Sequence, residues 1–311
     1  MTELEALHDG LAPRVAVVIV TYNSAAVLAA CLRSLPSTGV DLKTVVVADN
    51  GSKDDSLGIA KSMVDLPILT VEMGRNAGYA AAINAGIRAM GEQDLDAVMV
   101  LNPDCVLRPD TLSRLASVLR EPGRGIAVPM LLDMDGSLQP SLRRAPTLGR
   151  AFAEATLGAR AGRIGTIGEL ITDPRHYARP GPAVWATGAA MLVSMQAVHD
   201  IGPWDESFLL YSEETEFALR AADRGWTLWY EPAAVVEHKG GESGTNPKLA
   251  ALLVVNKVAL YRRRHGLPAS VAYYLTVLSG ESMRAIIGRR TARAAVAALL
   301  KPIRKTRVLA D

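Results

Sequence analysis

The sequence predicts an α/β fold with a doubly wound, mostly parallel central sheet and a helical C-terminal extension, and three observations carry that expectation. Apolar runs of strand length alternate with helical stretches over residues 15–119. Three of the runs stop at polar clusters: residues 15–20 at Thr21-Tyr22-Asn23, residues 44–48 at Asp49-Asn50-Gly51-Ser52, and residues 97–101 at Asn102-Pro103-Asp104. From residue 249 onward the chain looks helical. Polar residues where buried parallel strands give out lie at the carboxyl edge of the sheet, where open α/β sheets bind ligands, so the three clusters are expected to share one crevice.

In order, the pattern gives strand 15–20, helix 25–34, strand 44–48, helix 54–64, strand 68–72, helix 80–90, strand 97–101 and helix 109–119. Ser52 ahead of Asp55, and Pro109 opening the Asp110 helix, are helix-start signals. Residues 125–132 read as a further strand, and Asp133-Met134-Asp135-Gly136-Ser137 as a turn. Residues 141–182 are rich in Arg, Gly and Pro with weak periodicity, which predicts a mobile or acceptor-facing excursion. A second ordered block begins near Val184: a loop entering a strand over residues 185–193, a short helix at 197–201, and a Gly202-Pro203-Trp204-Asp205 turn. It continues with a helix over 214–225 closed by its glycine, and a strand at 227–230 ahead of Val235-Val236-Glu237-His238. The expected division is a domain over 1–248, with a nucleotide-binding half at about 14–132 and an acceptor half at about 183–245, then a basic helical extension over 249–311.

Composition narrows the function classes. With 49% hydrophobic residues the chain can bury a substantial core, and a net charge of +2 argues against nucleic acid as a partner. Cys31 and Cys105 are too few for a disulfide scaffold or a thiolate metal site, which suits a reducing cytoplasm. The acidic residues of Met1-Thr2-Glu3-Leu4-Glu5 stand where a secretory signal would be basic, and no apolar run reaches membrane-spanning length. The tail is basic: Arg284, Arg289, Arg290, Arg293, Lys301, Arg304, Lys305 and Arg307 follow one another without an acidic residue between.

Several clusters carry candidate chemistry, each with a plainer alternative. Asp49 at a strand end can accept from a nucleobase or ribose, or simply make a turn. In Gly74-Arg75-Asn76-Ala77-Gly78-Tyr79, Gly78 permits close approach of backbone to a ligand, Arg75 can reach a diphosphate and the following helix N-terminus favours anions; the alternative is an ordinary helix start. Asn84 is expected on the ligand-side face of that helix. Asp104 can hold Mg²⁺ or Mn²⁺ against substrate phosphates, with His238 as a further ligand; otherwise Asn102-Pro103-Asp104 is an Asx turn. Glu213-Glu214-Thr215-Glu216 crowds three carboxylates together. Crowding raises proton affinity toward general-base duty, whereas a helix N-terminus attracts acids for its dipole alone.

Taken in order and spacing, residues 17–23, Asp49-Asn50-Gly51-Ser52, Arg75-Asn76-Ala77-Gly78-Tyr79, Asn102-Pro103-Asp104, Thr187-Gly188-Ala189, Glu213-Glu214 and His238 resemble the inverting family 2 glycosyltransferases, and within them bacterial rhamnosyltransferases. The resemblance covers about residues 14–245. It implies a GT-A fold, a nucleotide-sugar donor, dTDP-rhamnose for this subset, and a divalent cation. It also implies that Thr21 and Asn23 line the nucleotide pocket, Asp49 reads the base, Arg75 and Asn76 flank the donor, and Thr187 and Gly188 lie near the reacting sugar. Asp104 takes the place of the last Asp of the family's metal motif, with His238 beside it, and Glu214 aligns with the base. Three positions depart: members usually carry Glu-Asp at Glu213-Glu214, leaving both glutamates as candidates, and a later Asp where this chain has Glu216, while Asn102 replaces an Asp, as in the rhamnosyltransferase-like subset.

The apolar residues at 273–278, Ile286-Ile287 and 296–300, set among the arginines, suit the surface of an anionic membrane leaflet. A polyprenyl-linked or cell-envelope glycan acceptor at the cytoplasmic face would make such contact useful. The plainer alternatives are a solvated helix face or a contact between copies of the chain.

Overall fold

The computed structural model describes residues 12–240 and 245–301. Strands β1 (Arg14–Thr21), β2 (Asp41–Asp49), β3 (Ile68–Glu72) and β4 (Ala97–Leu101) lie parallel in the order β3-β2-β1-β4. Their valine-rich runs are apolar on both faces because helices cover both. Val17, Ile19, Val45, Val47 and Met99 meet Leu28 and Leu32 of α1 (Ala25–Ser34). The alternate residues Val20, Ala48 and Val100 face the opposite way, and with them pack Ala80, Ala82 and Ile83. Helix α2 (Ser56–Ser62) connects β2 to β3, and α3 (Tyr79–Ala89) follows β3.

Beyond β4 the nine-stranded sheet becomes mixed. After β5 (Cys105–Leu107) and α4 (Thr111–Leu119) comes β6 (Arg124–Leu132). Later in the chain, β10 (Ala190–Ser194) inserts antiparallel between β4 and β6, and β11 (Thr227–His238) runs parallel to β6. The two segments that the sequence separates at residue 230 are thus one strand. Pro232 has no amide hydrogen to give the ladder, so the register slips between Glu231 and Val235 and pairing then resumes. The continuation carries His238 opposite Cys105 of β5, beside Asp104.

Residues 141–182, where composition predicts a mobile or acceptor-facing excursion, carry regular structure. β7 (Leu142–Arg143) pairs with β9 (Trp185–Ala186), β8 (Gly181–Ala183) joins β11, and α5 (Leu148–Leu157) lies between. Leu142, Tyr177 and Ala151 reach the core, and polar side chains add further ties. Arg144 donates to the carbonyls of Gly165 (3.1 Å) and Gly168 (3.0 Å), and Arg150 to that of Ala145 (2.8 Å). Lys257 reaches Glu154 (2.9 Å) and the buried Glu169 (2.8 Å). These half-buried pairs tie the segment to a helix far along the chain.

Helices α6 (Met195–Ile201) and α7 (Glu213–Asp223) flank the mixed half of the sheet, and α8 (Pro247–Arg264), α9 (Leu267–Ile286) and α10 (Arg290–Leu300) form the helical C-terminal part. Among the described residues no helix is long and apolar enough to cross a membrane. Met1-Thr2-Glu3-Leu4-Glu5, and Arg304, Lys305 and Arg307 of the basic tail, lie outside the described residues.

Candidate active site

The carboxyl ends of β1, β2 and β4 meet as the strand order requires. At the first two, Asp49 is buried and both its oxygens are used: Thr21 Oγ1 donates to Oδ1 (2.8 Å), the Ser52 amide to Oδ2 (2.9 Å) and Ser52 Oγ to Oδ1 (2.5 Å). Ser52 Oγ also accepts the amide of Asn23, and Asn23 Oδ1 accepts that of Lys53. Thr21 therefore supports Asp49, and Asn23 ties the first strand end to the second. Asn50 Nδ2 donates to Asn76 Oδ1 (2.9 Å) while Asn50 Oδ1 accepts the amide of Ala77 (2.8 Å), locking the loop after β2 to the loop before α3. Arg75 stands exposed beside that lock.

Tyr79 joins this floor to the rest of the site. Its hydroxyl donates to Asn102 Oδ1 (2.8 Å) or to the carbonyl of Gly188 (3.2 Å), and its amide donates to the carbonyl of Leu209 (2.8 Å). Burial above all holds the phenol well above its ordinary pKa, so it stays a donor. Gly78, at φ +101°, is needed for a different reason than the sequence suggests: a Cβ there would lie 2.6 Å from the carbonyl oxygen of Leu209. Its space is filled by the protein's own loop. Asn84 also differs from expectation. It is buried, and its side chain clasps the backbone of Trp204 (2.9 Å both ways) and Glu206 Oε1 (2.9 Å), a structural role on the sheet side of α3.

Asp104 and His238 come together, with Asp104 Oδ1 3.4 Å from His238 Nε2. The far side of the ring fixes its tautomer. Asp133 Oδ1 can only accept, so the group 2.6 Å away is the amide nitrogen of Gln139, and Gln139 Oε1 must then face His238 Nδ1 at 2.7 Å. Nδ1 carries the hydrogen, and in the neutral ring the Nε2 lone pair points at a carboxylate. Two acceptors at that separation call for a proton or a cation between them, and one carboxylate with one imidazole is a donor set that suits Mn²⁺ or Mg²⁺. Cys105 lies close to both, but its Sγ donates to the carbonyl of Ala189 (3.4 Å) and burial pushes the thiol well up, so it is no thiolate ligand.

Across Tyr79 from this pair lies the carboxylate cluster. Residues 208–212 curl tightly: Leu209, Tyr211 and Ser212 have φ of 68°, 67° and 76°, and the amide of Leu210 bonds the carbonyl of Phe208 (2.9 Å) in a strained γ-turn. Non-glycine residues in such conformations cost about 1–3 kcal/mol each and persist only when surroundings hold them. The helix that follows starts with Glu213 and Glu214, each with one buried oxygen, Oε2, that has no hydrogen-bond partner. Burial, reinforced by the charge of Glu214, holds the Glu213 carboxyl well above its ordinary value of 4.5. Burial raises Glu214 too, but helix backbone amides and the Arg143 guanidinium pull it back. The two are thereby split: Glu213 is the protonated member and Glu214 the one that ionises first. Glu216 is committed to Arg220 at 2.8 Å and is no rival.

Arg143 was not legible from the sequence as a site residue, because it falls in the stretch read as an excursion. Among the described residues its buried Nε has no hydrogen-bond partner, and its guanidinium lies 5.0 Å from the centre of the Trp185 ring. The Thr187 amide bonds the carbonyl of Ser141 (3.0 Å), and Gly188 sits against Glu214, where an added Cβ would lie 3.2 Å from the glutamate's own. The predicted residues thus gather into a floor (Thr21, Asn23, Asp49, Asn76), a carboxylate–imidazole pair (Asp104, His238) and a glutamate wall (Glu213, Glu214, Gly188), joined by Tyr79 and Asn102. Gly78 serves the wall from behind.

Residues 16–151 match the sequence profile of glycosyl transferase family 2. The N-acetylglucosaminyl-diphospho-decaprenol L-rhamnosyltransferase of Mycobacterium tuberculosis is 32% identical over 241 residues, spanning 74% of this chain and 78% of that protein. Among solved structures, the mannosyltransferase of Pyrobaculum calidifontis in complex with GDP-Man and Mn²⁺ superposes with TM-score 0.56 at 18% identity, covering 96% of this chain and 83% of the other. GalNAc-T7 with UDP, GalNAc and Mn²⁺ gives TM-score 0.57 at 14% identity, covering 92% and 54%. The structures establish a GT-A type fold, and the identity to the rhamnosyltransferase over most of both sequences establishes that this chain belongs to glycosyl transferase family 2.

Proposed function

We propose that this glycosyltransferase moves L-rhamnose from dTDP-rhamnose onto a polyprenyl-linked glycan by a single displacement with inversion. The observation that carries the reading is the 32% identity to an enzyme whose acceptor is a sugar on diphospho-decaprenol. In the proposed reaction Glu214 takes the proton of the acceptor hydroxyl, and that oxygen forms a bond to the anomeric carbon. The bond from that carbon to the diphosphate breaks on the opposite face, and the nucleoside diphosphate leaves. Glu214 fits the role because, of the two neighbouring glutamates, it is the one whose raised proton affinity the helix amides and Arg143 pull back, and its Oε2 has no hydrogen-bond partner. Asp104 and His238 would hold Mg²⁺ or Mn²⁺, which when bound supplies positive charge to the departing diphosphate. Thr21, Asn23, Asp49, Arg75, Asn76 and Asn102 are assigned to the donor, and Thr187 with Gly188 to the transferred sugar.

Heat unfolding tests the donor. A true donor at about 100 times its Kd stabilises the fold by about 2.7 kcal/mol through mass action. dTDP-rhamnose with Mn²⁺ is expected to raise Tm more than UDP- or GDP-sugars do, and transfer to a polyprenyl-diphosphate acceptor is expected to follow the same ranking. Stronger protection by a uridine or guanosine donor would overturn the rhamnosyl assignment.

Arg143 gives a second check. Its positive charge favours the Glu214 carboxylate, so Arg143→Met is expected to raise the proton affinity of Glu214 and move the acid limb of the kcat profile to higher pH. Arg143→Lys should keep the limb near its original place. An unmoved limb in Arg143→Met would mean that Glu214 is not the group titrating in it.

Contact with an anionic leaflet is proposed through the C-terminal helices. Leu267, Val271 and Leu275 recur at helical spacing on one exposed side of α9, and Ile286 and Ile287 are 82% and 73% exposed next to Arg284, Arg289, Arg290 and Arg293. Phe152 of α5, which packs on α9, is also exposed.

A further inference from the structure

Asn256 lies in the middle of α8 and is fully buried. Its Nδ2 donates to the carbonyls of Phe208 (2.7 Å), Leu210 (2.8 Å) and Tyr211 (3.2 Å). The amide orientation follows from those partners, since an oxygen turned the same way would face three carbonyl oxygens. Its Oδ1 has no partner, so the side chain is there for its donors. The three carbonyls belong to the curled stretch in which Leu209, Tyr211 and Ser212 have positive φ, immediately before Glu213 and Glu214.

Arg263, two turns further along the same face of α8, pairs with Asp205, donates to Ser207 Oγ (2.7 Å) and lies 4.3 Å over the Phe208 ring. On its other flank the loop is held by the Tyr79 amide on the Leu209 carbonyl. The strained backbone is therefore gripped between α3 of the donor half and α8 of the C-terminal part. Without the grip, residues at positive φ relax toward the ordinary right-handed region, and the first turn of α7 moves with them.

We infer that Asn256 is a positioning residue for sugar transfer: by gathering the carbonyls of Phe208, Leu210 and Tyr211 it fixes the backbone from which Glu213 and Glu214 project, and so makes α8 a working part of the active site. The inference rests on Glu214 being the base. It assigns Asn256 no contact with substrate.

The test uses the full chain. Asn256→Leu keeps bulk and removes the donors, and Arg263→Gln loosens the same loop from the surface while leaving Asn256 in place. Displacing a reacting group by about 1 Å costs on the order of 10²-fold, so Asn256→Leu is expected to lower kcat about 10- to 100-fold. Arg263→Gln is expected to lower it less, and both should keep wild-type affinity for the donor. Amide hydrogen exchange at residues 208–212 should quicken in both variants while that of β1 stays unchanged. Wild-type kcat in the folded variants, or loss of donor affinity in step with kcat, would overturn the inference; if Asn256→Leu fails to fold, Arg263→Gln decides alone. Glu214→Gln measured in parallel separates the two readings. Normal transfer by Glu214→Gln removes the base assignment, whereas an inactive Glu214→Gln beside fully active Asn256→Leu and Arg263→Gln removes the positioning role.

Discussion

Glu214→Gln is expected to lower kcat by about 10²- to 10⁴-fold, the usual contribution of a positioned general base, while donor binding stays as it was. The change removes one ionisable oxygen and no volume, so the wall against Gly188 is preserved. Glu213→Gln is the informative partner. Glu213 is already held protonated by burial and by its neighbour's charge, and glutamine copies a protonated carboxyl. Turnover should therefore change little, and stability should change with a definite sign. A buried acid whose folded pKa is raised binds its proton more tightly than the unfolded chain does. Its contribution is fully present below the ordinary value of 4.5 and is lost as pH rises toward the folded value. Glu213→Gln is thus expected to raise Tm at neutral pH, with the gain vanishing in acid. Thermal unfolding across pH, beside single-turnover rates, checks both statements; a Glu213→Gln enzyme as inactive as Glu214→Gln would reverse the assignment.

The donor half of the fold was legible because two independent signals agree there. Strands β3 and β4 occupy the residues that the apolar runs predict, and α1 likewise, since strand-length runs alternate there with helical stretches and the run at 97–101 is also closed by a polar cluster. The strand order then brings Thr21, Asp49 and Asn102 to one edge without further information. Legibility fails where order depends on bonds between segments distant in sequence. Nothing local in residues 141–182 shows that Arg144 and Arg150 will be spent on carbonyls, or that Lys257 will hold Glu154 and Glu169 from a helix far along the chain. Arg143 was hidden for the same reason: its neighbourhood with Glu214 exists only once β7 pairs with β9. Gly78 shows a subtler limit. The sequence reveals that space is needed there, but not that Leu209, rather than a ligand, takes it.

Asp104→Asn should cost transfer about 10²- to 10³-fold, the scale of removing one electrostatic stabiliser from a reaction centre, and it should do so through the cation. Asparagine keeps the shape of the turn and a neutral oxygen, so the hydrogen-bonded ring of Asp133, Gln139 and His238 remains to orient the imidazole. What is lost is the carboxylate charge facing Nε2 at 3.4 Å, and a site of one imidazole and one amide holds a hard divalent cation poorly. Chelation of the wild-type enzyme should reproduce the effect, and excess Mn²⁺ should restore the wild type fully and the variant partly. Mn²⁺ binding followed directly by electron paramagnetic resonance gives a readout that does not pass through turnover: titrated with nucleoside diphosphate present, the variant should need far more metal for half-occupancy. Equal Mn²⁺ affinity in the two proteins, or wild-type turnover that chelators leave untouched, would remove Asp104 and His238 from the reaction. The pair would then be read as a buried ion pair that closes the junction between β5 and β11.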